Sequence, residues 1–369
     1  MNVLFLDQFS ELGGAQRVLL ETVDAIAALG WTAHATLPGN GALIDELQRR
    51  NVRTTAIPCG PYASSRKSTS DLSRFALDVP RQARAIAALN RASPFDLIYV
   101  NGPRLLPAAA LSARTRVLFH AHSNITQPRA RKLAQWAIAR LKADVVACSN
   151  FVASAFAGCV PPENLHVVPN GVSEVAFRQR DFRHRENWSI GMLGRISPEK
   201  GQAEFLHAVK LVQRRLENAH FIIWGAPMFG SRDYFEAVQQ LAHDLPVELR
   251  GWEQDLDSVF GTLDLLIVPS LEEGMGRVVV EAFSAGVPVI AFPTGGIPET
   301  IIDGETGFLT REPSPAALAD RLVEVVTSDP ELLRRIAAQA RCAWERHCRV
   351  EIYQKRITDL MQSVAREQR

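Results

Sequence analysis

Short apolar runs alternate with longer amphipathic stretches along this chain. Val3–Leu6 is apolar without a break, the pattern of a strand buried on both faces. Gly13-Gly14 follows, and then Leu19, Val23 and Ile26 fall at helical spacing. They predict a helix from about Ala15 to Leu29, with Gly30 just past its end. Further strands are predicted at Thr32–Leu37, Thr54–Ile57, Leu97–Val100, Val117–His120, Val145–Ala147 and His166–Val168, with helices between most of them. Repeated strand and helix predict a parallel sheet with helices on both faces.

The series then starts again. Ser173–Asn187 is polar, carries Arg178, Arg180, Arg183, His184 and Arg185, and reads as a linker. New strands are predicted at Ile190–Leu193, Phe221–Trp224, Val247–Leu249, Leu265–Val268 and Val289–Ala291. The expected layout is α/β: a first doubly wound domain over 1–172, a linker over 173–187 and a second such domain over 188–350. A last helix at 351–369 places Ile352, Tyr353, Ile357, Leu360, Met361 and Val364 on roughly one face, suited to packing back on the first domain. Gly60–Arg74 is polar and serine-rich, and reads as a mobile loop or a mere insertion.

Composition narrows this picture by exclusion. Among 369 residues, 47% are hydrophobic and 22% charged, ordinary values for a globular chain rather than a disordered or fibrous one. Length allows roughly two domains. Lysine plus arginine number 41 against 40 acids, a net charge of +1 with no nucleic-acid signature. No apolar run reaches the ~18 residues of a membrane span, and MNVLFLDQFS lacks the basic start of a signal peptide. The five cysteines have no C-x-x-C spacing, so reduced thiols in a cytoplasmic protein are expected rather than disulfides or zinc.

Ligands of open α/β sheets bind beyond the carboxyl ends of the strands, so the strand-to-helix loops hold the candidate chemistry. Gly13-Gly14-Ala15-Gln16 leaves backbone amides bare at a helix start and suits either a phosphate or sugar contact or a plain tight turn. It is not the dinucleotide fingerprint G-x-G-x-x-G. In Gly194-Arg195-Ile196-Ser197-Pro198-Glu199-Lys200-Gly201, Arg195 and Lys200 leave one loop, as a diphosphate requires; solvated surface charge is the plainer reading. In Pro269–Ala282, Glu273 stands at a helix mouth and Glu281 inside the helix, on the order of 10 Å apart at helical rise. That separation suits two hydroxyl-bearing parts of one ligand, or else a surface acid and a capping acid. Gly274 and Gly276 leave amides bare between them. Val117–Ser123 ends a strand with His120 and His122, whose i, i+2 spacing lacks a third metal ligand nearby.

These motifs, taken in order, resemble a known family. Val168-Pro169-Asn170-Gly171-Val172, Gly194-Arg195…Glu199-Lys200-Gly201, Pro269-Ser270…Glu273-Gly274-Met275-Gly276…Glu281-Ala282, Gly286-Val287-Pro288-Val289-Ile290 and Gly295-Gly296-Ile297-Pro298-Glu299…Gly307-Phe308-Leu309 are similar to the retaining glycosyltransferases of family four. The first half matches more weakly, through Gly13–Arg17 and the histidine strand. The resemblance implies a GT-B fold: two facing Rossmann-like domains with a nucleotide sugar in the interdomain cleft.

Carried over by motif, the resemblance assigns Arg195 and Lys200 to the diphosphate and its departing charge. Glu281 is assigned to the ribose hydroxyls and Glu273 to the donor sugar. Gly274, Met275 and Gly276 supply amides, and Gly251 with Trp252 walls the base pocket. Gly14 closes on the donor, while Gln16 reaches the acceptor or sugar. His122 stands at the reacting centre, with His120 as its fallback and as a second acceptor contact. Met275 departs from the usual Phe. The implied reaction is a metal-independent, front-face transfer from a UDP- or GDP-sugar to a glycan or lipid-linked hydroxyl, retaining anomeric configuration, with no cofactor. Nucleotide-sugar epimerase and non-catalytic sugar-nucleotide binder are the alternatives. Asp255-Leu256-Asp257 resembles the metal-binding DxD of another transferase fold but reads here as a helix cap. Arg129–Lys142 is a basic amphipathic helix, suited to an anionic membrane at the cytoplasmic face or to ordinary packing on the sheet.

Overall fold

The computed structural model describes residues 1–60, 69–183, 187–228 and 232–366. It divides into two compact units, Met1–Gly171 with Glu351–Arg369, and Val172–Val350.

The first unit is built on a seven-stranded parallel sheet ordered β3-β2-β1-β4-β5-β6-β7. Its strands are β1 (Asn2–Asp7), β2 (Thr32–Leu37), β3 (Arg53–Ala56), β4 (Leu97–Asn101), β5 (Arg116–Ala121), β6 (Asp144–Ala147) and β7 (Leu165–Val167). Val3, Leu4, Phe5 and Leu6 are fully buried, as an uninterrupted apolar strand demands. Removing each such side chain from water contributes about 1.5–3 kcal/mol. The helix Val350–Arg366 sets Tyr353, Ile357, Met361 and Val364, spaced by three and four residues, into the same core as Phe5, Leu19 and Val23.

The second unit carries a six-stranded parallel sheet ordered β10-β9-β8-β11-β12-β13. Its strands are β8 (Trp188–Leu193), β9 (Ala219–Trp224), β10 (Val247–Arg250), β11 (Leu265–Val268), β12 (Val289–Ala291) and β13 (Phe308–Leu309). Both sheets have a switch point, at β1/β4 and at β8/β11, where the order reverses and the loops diverge to leave a crevice.

The structure adds to the sequence reading at four places. The serine-rich segment is not all loop: residues 61–68 lie outside the described residues, but Ser70–Arg74 belongs to a helix, Thr69–Ala92, that runs through Pro80. The linker Ser173–Asn187 is anchored to the second unit over its described part. Arg180 donates to the carbonyls of Phe260, Leu263, Ala285 and Gly286, and Val175 and Phe182 are buried. β13, only Phe308–Leu309, is too short to announce itself. In the basic helix, here Pro128–Leu141, Ala134, Ala137 and Ile138 form the buried face, while Leu133 and Trp136 are exposed beside Arg129 and Lys132.

Candidate functional site

Two clusters of chemically competent side chains stand at the switch points, one in each unit. In the second unit the loop after β8 and the loop after β11 are tied together by backbone. The amides of Leu271 and Glu272 both donate to the Glu199 carbonyl, at 2.9 and 3.4 Å. This brings Lys200 Nζ to 2.6 Å from Glu273 Oε2, across 73 residues of sequence. Arg195 donates to Ser197 Oγ at 3.2 Å and forms an ion pair with Glu199. Burial pushes the Glu199 carboxyl up, but the Arg195 charge and hydrogen bonds from its own backbone amide, Ser197 and Arg195 outweigh it and hold the group below its ordinary range. Glu272, half-buried beside Glu199 and Glu273, is raised, by burial first and then by those two like charges.

Gly295 locks the loop that bears Glu273. Its φ is +58°, and a Cβ there would lie 2.0 Å from the Glu273 carbonyl oxygen. The neighbouring amide of Gly296 donates to that same oxygen at 3.0 Å. Glu273 is thus held by its backbone while its carboxylate meets Lys200.

Gly274, Met275 and Gly276 are buried just before the helix Arg277–Ala285, and the Met275 carbonyl accepts from Thr300 Oγ1 at 3.0 Å. Glu281 lies one turn inside that helix, nearly buried, with Arg277 Nε donating to its Oε1 at 3.0 Å. Trp252 is 39% exposed. With Trp224, Arg250, Gly251 and Glu253 it lines a recess of about 160 Å³ beyond β10, where the Arg250 guanidinium lies 5.4 Å over the Trp224 ring. Asp255 accepts from the amides of Asp257 and Ser258, at 3.0 and 3.2 Å, and so caps the following helix; Asp257 accepts from Ala176 N at 2.8 Å.

The first unit's cluster spans three neighbouring strands. Asp7 ends β1 and pairs in register with Asn101 at the end of β4, which pairs with His120 on β5. Asp7 is buried and accepts from Asn101 Nδ2 at 2.6 Å, Phe9 N at 2.8 Å and Gln16 Nε2 at 3.1 Å. Burial nevertheless pushes its carboxyl up to about 6, against the pull of those hydrogen bonds. His122 Nε2 lies 2.7 Å from Asn101 Oδ1. Burial lowers the His122 imidazole to about 3, so the ring is neutral at ordinary pH. Gly14 opens the helix Gly14–Ala28, exposed, with free space where a Cβ would sit.

Two sequence assignments in this unit fail on burial. His120 is 0% exposed, with Nδ1 on the Tyr99 hydroxyl and its ring 3.9 Å from that of His122. A side chain sealed in the sheet cannot touch an acceptor, so His120 is neither fallback nor contact. Gln16 is 3% exposed, its Nε2 spent on Asp7 and its Oε1 accepting from Gly13 N at 3.2 Å. It braces the glycine loop instead of reaching outward. Asp7 and Asn101 were missed. Their only sequence signal is a polar residue at the carboxyl end of an apolar strand, and they meet across 94 residues.

Residues 12–174 match the family described as Glycosyltransferase Family 4, and residues 188–328 match Glycosyl transferases group 1. A curated relative is the GDP-mannose-dependent alpha-(1-6)-phosphatidylinositol monomannoside mannosyltransferase of Mycobacterium tuberculosis, 30% identical over 60% of this chain and 63% of that protein. Another is the D-inositol 3-phosphate glycosyltransferase of Streptomyces scabiei, 34% identical over 48% of this chain and 44% of that one. The chain spans less than two thirds of the length of these curated relatives. Among solved structures, Anabaena HepE in complex with UDP and glucose superposes with a TM-score of 0.82 at 25% identity, covering 98% of this chain and 100% of that one. The two Rossmann-like units are those of a GT-B glycosyltransferase fold. Unit by unit, the chain matches the Glycosyltransferase Family 4 model over 12–174 and the Glycosyl transferases group 1 model over 188–328.

Proposed function

We propose that this chain is a retaining hexosyltransferase that moves a sugar from a UDP- or GDP-sugar to a hydroxyl of a glycan or lipid-linked acceptor. The observation that carries this reading is the Lys200–Glu273 contact at the β8/β11 switch point, with Arg195 on the Lys200 loop and Gly274 and Gly276 just before the helix Arg277–Ala285. Fixed cations beside a helix start are what a diphosphate requires. The relative whose name states a GDP-mannose donor and the HepE structure holding UDP-glucose support a nucleotide-sugar substrate.

In this reading the donor's diphosphate competes with Glu273 and Glu199 for Lys200 and Arg195. The two cations then stabilise the charge that develops on the departing nucleotide, an electrostatic contribution of about 2.7–4 kcal/mol per group. Released from Lys200, the Glu273 carboxylate is free to accept hydroxyls of the donor sugar. Glu281 does so for the ribose, turning from Arg277, and Trp252 borders the base. His122 and Gly14 are the first unit's contacts with substrate. The acceptor oxygen bonds to the anomeric carbon on the face from which the nucleotide leaves. The bond from that carbon to phosphate oxygen breaks, and the phosphate takes the acceptor's proton. No carboxylate nucleophile is required, and Arg195 and Lys200 supply the charge a metal would otherwise supply. The exposed Leu133 and Trp136 beside Arg129 and Lys132 suit peripheral contact with an anionic membrane, at the cytoplasmic face.

The test is a thermal-shift panel of UDP, GDP, ADP and their sugars, with and without EDTA. A ligand at about 100 times its dissociation constant adds roughly 2.7 kcal/mol. One nucleotide sugar raising Tm regardless of EDTA is expected. No response to any of them would overturn the reading.

A further inference from the structure

We propose that Asn101 is a positioning residue: it holds His122 as the Nε2–H tautomer, so that His122 presents Nδ1 as a bare hydrogen-bond acceptor for a ligand hydroxyl. The step to a ligand rests on the function proposed above; the tautomer itself does not.

The argument is one of donors and acceptors. The two ends of the Asn101 amide face different partners. One end lies 2.6 Å from Asp7 Oδ2 and 3.3 Å from the backbone carbonyl of Ala15. A carbonyl only accepts, so the nitrogen must occupy that end. The other end is therefore oxygen, and it lies 2.7 Å from His122 Nε2. An oxygen that can only accept requires a proton on Nε2. A neutral imidazole has one N–H, so Nδ1 carries the lone pair. The Ala15 carbonyl thus fixes the sense of the amide.

His122 is half-buried, and its Nδ1, shielded from solvent in the ligand-free chain, has no hydrogen-bond partner among the described residues. A buried acceptor left unsatisfied is destabilising. The hydroxyl of a bound ligand, at a switch point where ligands bind, would satisfy it. Asp7, pinned in turn by Phe9 N and Gln16, keeps Asn101 from turning over. Desolvation of the His122 ring acts in the same sense by keeping it neutral. Such a histidine reads a hydroxyl's hydrogen and cannot donate to a phosphate or carbonyl oxygen through Nδ1.

The experiment is long-range proton–nitrogen correlation NMR on the ligand-free full chain with 15N-labelled histidine, at pH 7.5, with His122→Gln identifying the signals. A pyrrole-type Nε2 and a pyridine-type Nδ1 are expected for His122. In Asn101→Leu the two nitrogens should move toward each other as the tautomers mix. An Nδ1–H or imidazolium pattern in the wild type overturns the proposal without any variant. A wild-type tautomer that persists in folded Asn101→Leu overturns the role of Asn101. No substrate is used, so failure of the proposed activity and failure of this inference are separate results.

Discussion

Gly295→Ala is the sharpest structural test of how the second unit holds its candidate site. Two costs are expected. Alanine at a φ of +58° is in the left-handed region, which costs an L residue about 1–2 kcal/mol. Its Cβ would also lie 2.0 Å from the Glu273 carbonyl oxygen, over an ångström inside any real contact, and the obstacle is backbone. Forced displacement in a packed region adds about 1–3 kcal/mol. Gly304→Ala separates the two costs. Its φ is +72°, yet nothing lies within 4 Å of where its Cβ would sit. For a unit of this size each kcal/mol shifts Tm by about 2–4 °C. Gly304→Ala should therefore lower Tm by about 4 °C and Gly295→Ala by about 10 °C, followed by circular dichroism under identical conditions. Equal losses for the two variants would refute the claim that the Gly295–Glu273 approach is tight.

Lys200→Ala should cut sugar transfer by about 10²–10³-fold in kcat while the protein stays folded; near-normal turnover in a folded variant would remove Lys200 from the diphosphate. Asp255→Ala should cost about 1 kcal/mol in urea unfolding, the worth of an N-cap, and leave transfer within twofold of wild type; loss of activity would instead make the Asp255-Leu256-Asp257 pair functional. Asp7 binds its proton more tightly folded than unfolded, since burial raises it from 3.8 to about 6. Its contribution is therefore present below about pH 4 and lost as pH rises through 6, so the stability of the wild type relative to Asp7→Asn should fall by about 2.4 kcal/mol from pH 4 to 7. Urea unfolding at pH 4, 5, 6 and 7 measures this, and a flat difference would contradict it.

Strand positions in both units were legible because buried parallel strands are nearly all apolar, and Leu265–Val268 and Val289–Ala291 were read to the residue. The start of the helix Thr69–Ala92 was not, because Ser70–Arg74 continues a polar, serine-rich run that reads as loop. The tether Ser173–Asn187 misled for a different reason. A run of arginines looks solvated, but Arg180 spends its fork on the carbonyls of Phe260, Leu263, Ala285 and Gly286.

The two candidate clusters differ in how sequence encodes them. In the second unit the chemistry is local. Arg195 and Lys200 share one loop, and Glu273 shares another with glycines that open the next helix, so residue type and spacing reveal them before any fold is known. In the first unit the chemistry is assembled across strands. Asp7, Asn101 and His122 come from the ends of β1, β4 and β5, and become neighbours only because the sheet places β4 between the other two. No spacing rule links residues 7 and 101. The same topology seals His120, one pleat earlier on β5, inside the sheet. Residues two apart share a face of a strand, so depth rather than alternation decides which histidine can meet a ligand: His120 lies within β5 and His122 just past its carboxyl end.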